Sequence, residues 1–287
     1  MPELPEVEAA RRGITNQLLH RPITAVDLRL PKFVIGLTAL THEDMVGREI
    51  DEVRRHGKYL SLFFGDLVGV LHLKLAGQVV ARGMGIPGFA AGHPVPAYDA
   101  PLPHKSTHLI VTFGNAAQLY LTDIRHFARL TLLPLALWDE FMYDIGLGPD
   151  LFDPGIGAET FAARIQMRPN SRLKPLLLDQ SCVAGLGNIY VDEALHVSRL
   201  HPQQRVSTLT CDDVERLYAA IMLVLNTAVP TGGANIVGTK AMSEHGTFPW
   251  VHAREGLTCT QCGGVIIKTR VDQRGTYLCP ICQVAPT

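Results

Sequence analysis

The chain has 287 residues, which is enough for two domains, or for two domains and a small module. Hydrophobic residues make up 47% of the chain and charged residues 18%, values that are typical of a soluble globular protein with a real core. The net charge of −1 argues mildly against a nucleic-acid-binding protein, so any anionic partner must be met by a local basic surface.

No segment of the sequence resembles a secretory signal, because the chain starts with acidic rather than basic residues. The most apolar run, Tyr59 to Leu73, is interrupted by Gly65-Asp66 and by His72, so it is not expected to span a membrane. We therefore expect a cytoplasmic protein without a signal peptide.

The first 130 residues predict an antiparallel β domain that carries one N-terminal helix. The helix begins near Pro5 and buries Leu4, Val7, Ile14 and Leu18 on one face. Strands follow at 23–31, 49–53, 58–64, 67–73, 107–113 and 118–122. Gly65-Asp66 and Gly114-Asn115 are the turns of two hairpins, and residues 82–105, rich in Gly, Pro and Ala, predict a long loop.

Beyond Pro134 the pattern becomes helical, and the last thirty residues return to short strands around cysteines. The predicted helices cover 137–145, 158–167, 173–180, 188–197 and 211–227.

The first residues, Met1-Pro2-Glu3, carry the most unusual chemistry of the chain. Removal of Met1, which is favoured by a small second residue, leaves the secondary amine of Pro2 free. An α-amino group titrates near 8, so about a tenth of it is an uncharged nucleophile at pH 7, and its attack on a sugar carbon can form a cationic iminium. Glu3 would lie beside it as a proton donor. Taken alone, the same residues also fit an ordinary exposed terminus with a helix cap.

Four of the six cysteines form two pairs, Cys259-x-x-Cys262 and Cys279-x-x-Cys282, separated by sixteen residues. This spacing suits tetrahedral coordination of one zinc ion by four thiolates, as in a zinc ribbon. Because four sulfur ligands leave no open position, the zinc is expected to be structural.

Three further motifs allow both a structural and a functional interpretation. The turn Gly185 to Tyr190 connects two helices, and Asn188 begins the second of them, where backbone N–H groups favour a phosphate. Lys58 follows a run of basic residues at the end of a strand, and such a run usually has no role beyond its exposure to solvent. Arg125 and Phe127 form a cation and an aromatic residue that would suit a wedge between bases, although a core Phe beside a surface Arg is more common.

Together these stretches resemble the formamidopyrimidine-DNA glycosylase family of bifunctional base-excision enzymes, over the whole length and in the family's order. The opening octet is highly specific, and Leu4 and Val7-Glu8 resemble the oxidised-purine branch more than the endonuclease VIII-like branch. The motifs are Met1–Glu8, Gly57–Leu60, Asp123-x-Arg125-x-Phe127, Lys174–Gln180, Gly185–Tyr190 and the terminal Cys-x-x-Cys pairs.

The resemblance implies an α+β fold in three parts with DNA in the cleft between them. These parts are an N-terminal β-sandwich with an N-terminal helix at 1–134, a helix-two-turn-helix domain with a lesion-covering loop at 135–255, and a zinc-ribbon-like finger at 256–287. It also implies a glycosylase and β,δ-lyase that removes 8-oxoguanine and formamidopyrimidines from double-stranded DNA or cleaves abasic sites. A monomer is expected, associated with the nucleoid when on DNA.

The resemblance also assigns roles to single residues. Pro2 attacks C1′ of the damaged nucleotide, Glu3 acts as the acid and Lys58 takes part in the elimination steps. Arg274 of the zinc hairpin, Asn188 and the nearby Lys174 hold phosphates around the extruded nucleotide. Leu75, Arg125 and Phe127 fill the vacated base stack, and His108 remains as a DNA contact.

Several positions depart from the family pattern. Leu75 replaces a methionine, and Ser106 replaces a histidine that contacts DNA. Ile124 and Ala128 replace a proline and a glycine in the loop that carries Arg125 and Phe127, which we call the wedge loop. Residues 231–255 align poorly, although lesion preference is decided there. The same chemistry on oxidised pyrimidines, and a non-catalytic damaged-DNA-binding protein, therefore remain as alternatives.

Overall fold

In the computed structural model the chain divides into two units, residues 1–145 and residues 146–287. The structure describes residues 1–234, 236–237, 240–241, 244 and 246–285. Within these residues, no helix is long and apolar enough to cross a membrane. The predicted division at 134/135 and 255/256 stays a prediction.

The first unit is a β-sandwich of two five-stranded sheets with one long helix, as expected. One sheet has the order β1-β8-β9-β6-β7 and the other β2-β10-β5-β4-β3. The helices are α1 (Leu4–Leu18) and α2 (Trp138–Asp144). The strands are β1 (Ile23–Leu28), β2 (Val34–Gly36), β3 (Glu52–His56), β4 (Tyr59–Phe64), β5 (Leu67–His72), β6 (Gly77–Arg82), β7 (Phe89–Gly92), β8 (Thr107–Phe113), β9 (Gln118–Asp123) and β10 (Arg129–Pro134).

The core of this unit contains side chains from both sheets and from α1, among them Ile14, Leu60, Val79 and Leu121. The predicted apolar face of α1 is fully buried, so the start of the helix is held by the core. The hairpin β4–β5 is confirmed, because Phe64 pairs with Leu67 and leaves Gly65-Asp66 as a two-residue turn.

Four strands of the first unit were not expected from the sequence. β2, β6 and β10 lie in segments to which we assigned no element, and β7 lies inside the predicted loop 82–105. β7 forms at the edge of its sheet because its backbone pairs with β6, in the register Val79 to Ala91. The predicted strand 49–53 also begins later, at Glu52, and continues to His56.

The second unit contains four helices and four short strands among the residues that the structure describes. The helices agree with prediction to within two residues at each end. They are α3 (Ala158–Gln166), α4 (Leu173–Leu178), α5 (Asn188–Val197) and α6 (Cys211–Ala228), and the strands are β11 (Ile236–Val237), β12 (Lys240–Ala241), β13 (Ile267–Val271) and β14 (Arg274–Leu278). The predicted lesion-covering loop lies partly outside the described residues.

Candidate active site and zinc centre

The start of α1 is a rigid, buried terminus. Pro2 and Glu3 are both buried, and Glu3 is the residue that caps the helix. The Glu3 backbone N–H donates to the Glu6 carboxylate at 2.9 Å, and the Val7 N–H donates to the Glu3 carbonyl at 3.1 Å. These bonds satisfy backbone groups that would otherwise be unpaired at a helix start. The predicted nucleophile and the predicted acid are therefore held on a fixed element rather than on a fraying end.

Glu8 connects this helix to strand β3 through a buried ion pair. Its carboxylate accepts a hydrogen bond from Arg55 at 3.1 Å, and both side chains are buried. On the other side it accepts bonds from Arg11 and Arg12, each at 2.9 Å from Nε. Burial raises the pKa of Glu8, but the hydrogen bonds from Arg11 and Arg12 and the charge of Arg55 together lower it to about 2. The sequence did not show this role, because Arg55 is 47 residues away.

The strand that Glu8 contacts leads directly to Lys58. His56 pairs with Tyr59, so Gly57 and Lys58 form the turn between β3 and β4, and Gly57 takes a φ of +57° that suits glycine. Lys58 is only 6% exposed. The Glu8–Arg55 pair therefore connects the element that carries Pro2 to strand β3, which ends two residues before Lys58.

His72 is a further residue of this region that we did not single out from the sequence. Its Nδ1 accepts the Lys74 backbone N–H at 2.8 Å. Burial lowers the pKa of His72, and the charges of Lys74 and Lys58 lower it further, to about 3. The ring is therefore neutral near two cations, one of which is the predicted lyase residue.

The predicted wedge residues lie on two adjacent turns. Gly77 at the start of β6 pairs with Asp123 at the end of β9. The turn containing Leu75 and the loop 124–128 therefore lie at the same end of these two adjacent strands. Leu75 and Phe127 are exposed, Phe127 to 48%, and the Arg125 guanidinium lies over the Phe127 ring at 5.4 Å. The three exposed side chains lie on these two neighbouring turns, and together we call them the wedge patch.

Asp123 holds the wedge loop in shape. Its buried carboxylate accepts backbone hydrogen bonds from Arg125 and Phe127, each at 2.8 Å, and from Ala128 at 2.7 Å. Within this loop, His126 has a left-handed backbone conformation with a φ of +61°. The departures from the family pattern at Ile124 and Ala128 therefore leave a well-organised loop.

His108 does not reach the surface. It is 2% exposed, its Nε2 lies 2.8 Å from the Asp123 carbonyl oxygen, and its ring packs on His126 at 4.7 Å. Burial lowers the pKa of His108. The ring therefore supports the wedge loop from below, and this burial does not favour the predicted direct contact with DNA.

In the second unit the predicted residues Lys174, Asn188 and Arg274 meet at one end of β14. The Asn188 amide donates to the Gly275 carbonyl at 3.0 Å, next to the exposed Arg274. Lys174 is fully buried, and its Nζ donates to Asp192 at 2.6 Å, to Thr276 at 2.8 Å and to the same Gly275 carbonyl. Because an ammonium group has three N–H donors, these bonds occupy all of them. Lys174 therefore holds the hairpin in place, and the predicted direct grip on a phosphate is not what this geometry favours.

The four predicted cysteine ligands form one cluster. The Sγ atoms of Cys259, Cys262, Cys279 and Cys282 all lie within 4.8 Å of one another. The pairs Cys262–Cys279 and Cys259–Cys282 are 3.4 and 3.9 Å apart, close to the ~3.8 Å between sulfurs of a tetrahedral zinc site with Zn–S bonds of about 2.3 Å. The geometry and the thiolate donors fit one structural zinc ion.

His196 on α5 is a neighbour of this cluster that sequence spacing could not reveal. Its Nε2 lies 3.3 Å from Cys259 Sγ, and the side chain is fully buried. Burial lowers the pKa of His196 to about 4, with a smaller contribution from Arg199. The neutral ring can donate a hydrogen bond to a zinc-bound thiolate, which is the usual way in which an outer ligand tunes a metal site.

Comparison with family models agrees with this architecture part by part. Residues 1–130 match the formamidopyrimidine-DNA glycosylase N-terminal domain, residues 147–240 match the H2TH domain of the same enzymes, and residues 256–284 match a zinc finger found in FPG and IleRS. The predicted α+β fold and the predicted zinc are confirmed.

Known relatives match over the full length. A formamidopyrimidine-DNA glycosylase of Pelotomaculum thermopropionicum is 36% identical, with 99% of each chain covered. Two solved structures of the Lactococcus lactis enzyme, one with Fapy-dG-containing DNA and one with abasic-site DNA, are each 29% identical with a TM-score of 0.83, covering 99% of this chain and 100% of theirs. The chain therefore belongs to the formamidopyrimidine-DNA glycosylase family, and the enzyme class predicted from its motifs is confirmed.

Proposed function

We propose that this protein is a bifunctional DNA glycosylase and abasic-site lyase of base-excision repair, which acts on oxidised purines through an iminium on Pro2. The observation that carries the proposal is the buried, capped start of α1, which holds Pro2 and Glu3 in the same unit as Lys58 and the exposed wedge patch. A terminus that only bound DNA would need neither a fixed imino group nor an adjacent carboxyl.

The first half of the reaction is a displacement at the sugar. After loss of Met1, the Pro2 nitrogen attacks C1′, and the bond between C1′ and the damaged base breaks. The ring oxygen of the sugar then leaves C1′ with a proton from Glu3, and the nitrogen lone pair forms the iminium. The iminium withdraws electrons, so the C2′ proton becomes acidic and the 3′ phosphate can be eliminated, with Lys58 assisting.

The wedge patch supplies part of the energy of nucleotide extrusion. Unpairing and unstacking a base costs a few kcal/mol, and an apolar side chain that enters the gap recovers part of this cost. Leu75 and Phe127 are exposed and apolar, and Arg125 adds a cation against the ring of Phe127. Leucine is close to methionine in volume, so the replacement at position 75 preserves the wedge.

The second unit supplies phosphate contacts and a structural metal. Arg274, at the start of β14, and Asn188, at the start of α5, are the residues that hold phosphates, while Lys174 positions the hairpin that carries Arg274. Zinc, when bound by the four cysteines, stabilises this hairpin. We infer that the protein works in the cytoplasm, at the nucleoid, as a monomer, where double-stranded DNA is its partner.

The L. lactis relative was crystallised with Fapy-dG-containing DNA, which supports an oxidised purine as the substrate here. The test is borohydride trapping on an 8-oxoguanine:cytosine duplex, with undamaged and dihydrouracil duplexes alongside, using protein whose mass shows that Met1 is absent. We expect a covalent adduct on the 8-oxoguanine duplex that is lost in Pro2→Gly. An adduct only on dihydrouracil would move the substrate to oxidised pyrimidines. Tight lesion binding without an adduct on any duplex would indicate a non-catalytic damaged-DNA-binding protein.

A further inference from the structure

The unexpected strand β7 and the turn after it bring an additional histidine to the N-terminus. β7 packs along α1, where the Gly88 N–H donates to the Gln17 side chain at 2.9 Å. One turn earlier in the helix, Gly13 allows the Phe89 ring to lie against its backbone, since a Cβ there would come within 2.4 Å of the ring. The chain from 88 to 92 therefore runs from the end of α1 towards its start.

The length of this strand places its end level with the first turn of the helix. The three residue steps from Phe89 to the end of β7 at Gly92, at about 3.3 Å each, cover about 10 Å, which corresponds to about seven residues of helix at 1.5 Å each. Counting back from Gly13, the end of β7 is level with Glu6 in the first turn of the helix, and His93 is the next residue. Tyr98 supports this placement, because burial and the charge of Glu6 in the first helical turn raise its pKa to about 12.

The backbone around His93 is fixed by hydrogen bonds to strand β6. The His93 N–H donates to the Gly77 carbonyl at 2.9 Å, and the Gln78 amide donates to the carbonyls of His93 and Pro96 at 2.9 and 2.8 Å. The Tyr98 hydroxyl closes the turn by donating to the Gly92 carbonyl at 2.8 Å. His93 is thus on a rigid element between the helix start and the wedge turn at Leu75.

The imidazole of His93 is arranged for proton transfer. Its Nδ1 lies 3.1 Å from both the Val95 N–H and the Val95 carbonyl oxygen, so the backbone can stabilise the ring in its neutral and its protonated form. Within the described part of the chain, Nε2 on the opposite edge of the ring has no hydrogen-bond partner. Burial lowers the pKa of His93; the bond to Val95 and the charge of Asp123 raise it, and the charge of the Met1 amine, one residue before Pro2, lowers it. The ring is therefore a neutral base at neutral pH.

We infer that His93 is a further residue of the reaction centre, which accepts the proton that the Pro2 nitrogen must lose before the iminium forms. This inference rests on the function proposed above. When the Pro2 lone pair forms the bond to C1′, the bond from C1′ to the base breaks and the base leaves with that electron pair. The nitrogen is then a cationic ammonium that still carries its hydrogen.

Transfer of this hydrogen as a proton to Nε2 of His93 returns a lone pair to the Pro2 nitrogen. That pair forms the C=N bond while the bond from C1′ to the ring oxygen breaks, and the oxygen takes a proton from Glu3. On an abasic site, where C1′ is an aldehyde, the same proton leaves the nitrogen after addition to the carbonyl. The role of His93 can therefore be measured without the base-removal step.

The test compares His93→Gln, His93→Ala and the control His104→Gln on an abasic duplex. His104 lies in the same segment 82–105 and has a similar turn, with its Nδ1 accepting the Ser106 N–H at 3.1 Å. Burial lowers its pKa, and the cations that lower it further are Arg29 and Lys105 rather than the Met1 amine. We expect both His93 variants to lower the single-turnover rate of borohydride trapping about 100-fold, within the range for a positioned proton acceptor, with unchanged affinity for the duplex. The control should trap at the wild-type rate.

Rescue separates proton transfer from a structural role. Imidazole added to His93→Ala should restore part of the trapping rate, and it should not accelerate the control. Equal rates for wild type and His93→Gln, an equal loss in the control, or no response to imidazole would each overturn the inference. Absence of any adduct with the wild-type protein would instead refute the proposed function itself.

Discussion

The Glu8–Arg55 pair offers a quantitative test of how the N-terminal helix is held. The carboxyl of Glu8 has a pKa of about 2 in the folded chain, compared with an ordinary value of 4.5. At about 1.4 kcal/mol per pKa unit, this difference stabilises the folded chain by about 3 kcal/mol at pH 7. We expect Glu8→Gln to lower the free energy of unfolding by about this amount, because the buried Arg55 also loses its partner.

The pH dependence has a definite sign. Since the pKa is lower in the folded chain, the unfolded chain binds more protons between pH 4.5 and pH 2, so the stabilisation is complete above pH 4.5 and disappears as the pH falls through about 2. At pH 3 about 1.5 kcal/mol of this stabilisation remains, as calculated from the two pKa values. The difference between wild type and Glu8→Gln should therefore be roughly halved between pH 7 and pH 3.

Urea unfolding followed by tryptophan fluorescence can measure this difference in the free energy of unfolding for the first unit, residues 1–145. The chain has two tryptophans, and Trp138 lies in the first unit with Glu8, so a Trp250→Phe background reports on that unit alone. The control is Glu52→Gln, which removes an exposed pair with Arg54 and should cost less than about 1 kcal/mol. Equal stability of Glu8→Gln and wild type at pH 7, or a difference that does not change with pH, would refute the reasoning.

Three further variants test other parts of the site. Asp123→Asn should weaken the wedge loop, because the carboxylate accepts three backbone N–H groups, and we expect slower base excision from a lesion duplex with little change in trapping on an abasic site, measured in single turnovers. His196→Gln should lower zinc affinity about 10- to 100-fold, measured by competition with a chromogenic chelator, because the bond to Cys259 is lost. Lys174→Met should leave Asp192 buried without its cation and destabilise the second unit by about 3 kcal/mol in urea unfolding, with a weaker DNA affinity through displacement of Arg274.

Each of these variants has a result that would count against its explanation. Equal slowing of Asp123→Asn on lesion and abasic duplexes would indicate a damaged fold rather than a damaged wedge. An unchanged zinc affinity of His196→Gln in the chelator competition would show that the Cys259 contact does not tune the metal. Full stability of Lys174→Met, together with lost DNA binding, would mean that Lys174 contacts a phosphate directly after all.

Local chemistry was enough to predict the elements whose signal lies within a few residues. The helix start at Pro5, the turn at Gly65-Asp66 and the spacing of the cysteines all depend on neighbours in sequence, and the structure agrees with each of them. Strand β7 was missed because Gly, Pro and Ala are typical of loops, whereas its formation depends on pairing with β6 and packing on α1.

Burial of polar side chains could not be predicted, because it depends on distant partners. Lys174 was expected to hold a phosphate, but its partners Asp192 and Thr276 are 18 and 102 residues away. His108 was likewise expected to contact DNA, but it is covered by the wedge loop, which follows the next strand, β9. The residue types of the site could thus be predicted from the sequence. Which of them react and which only support the site could be decided only from the fold.

The central claim is that the Pro2 nitrogen forms the covalent intermediate. The most direct measurement is mass spectrometry of tryptic peptides after borohydride reduction of the complex with an abasic duplex and nuclease digestion. The account predicts that the sugar remnant is attached to the peptide of residues 2–11, at its first residue. A remnant on a lysine-containing peptide, for example the one that contains Lys58, would contradict the account.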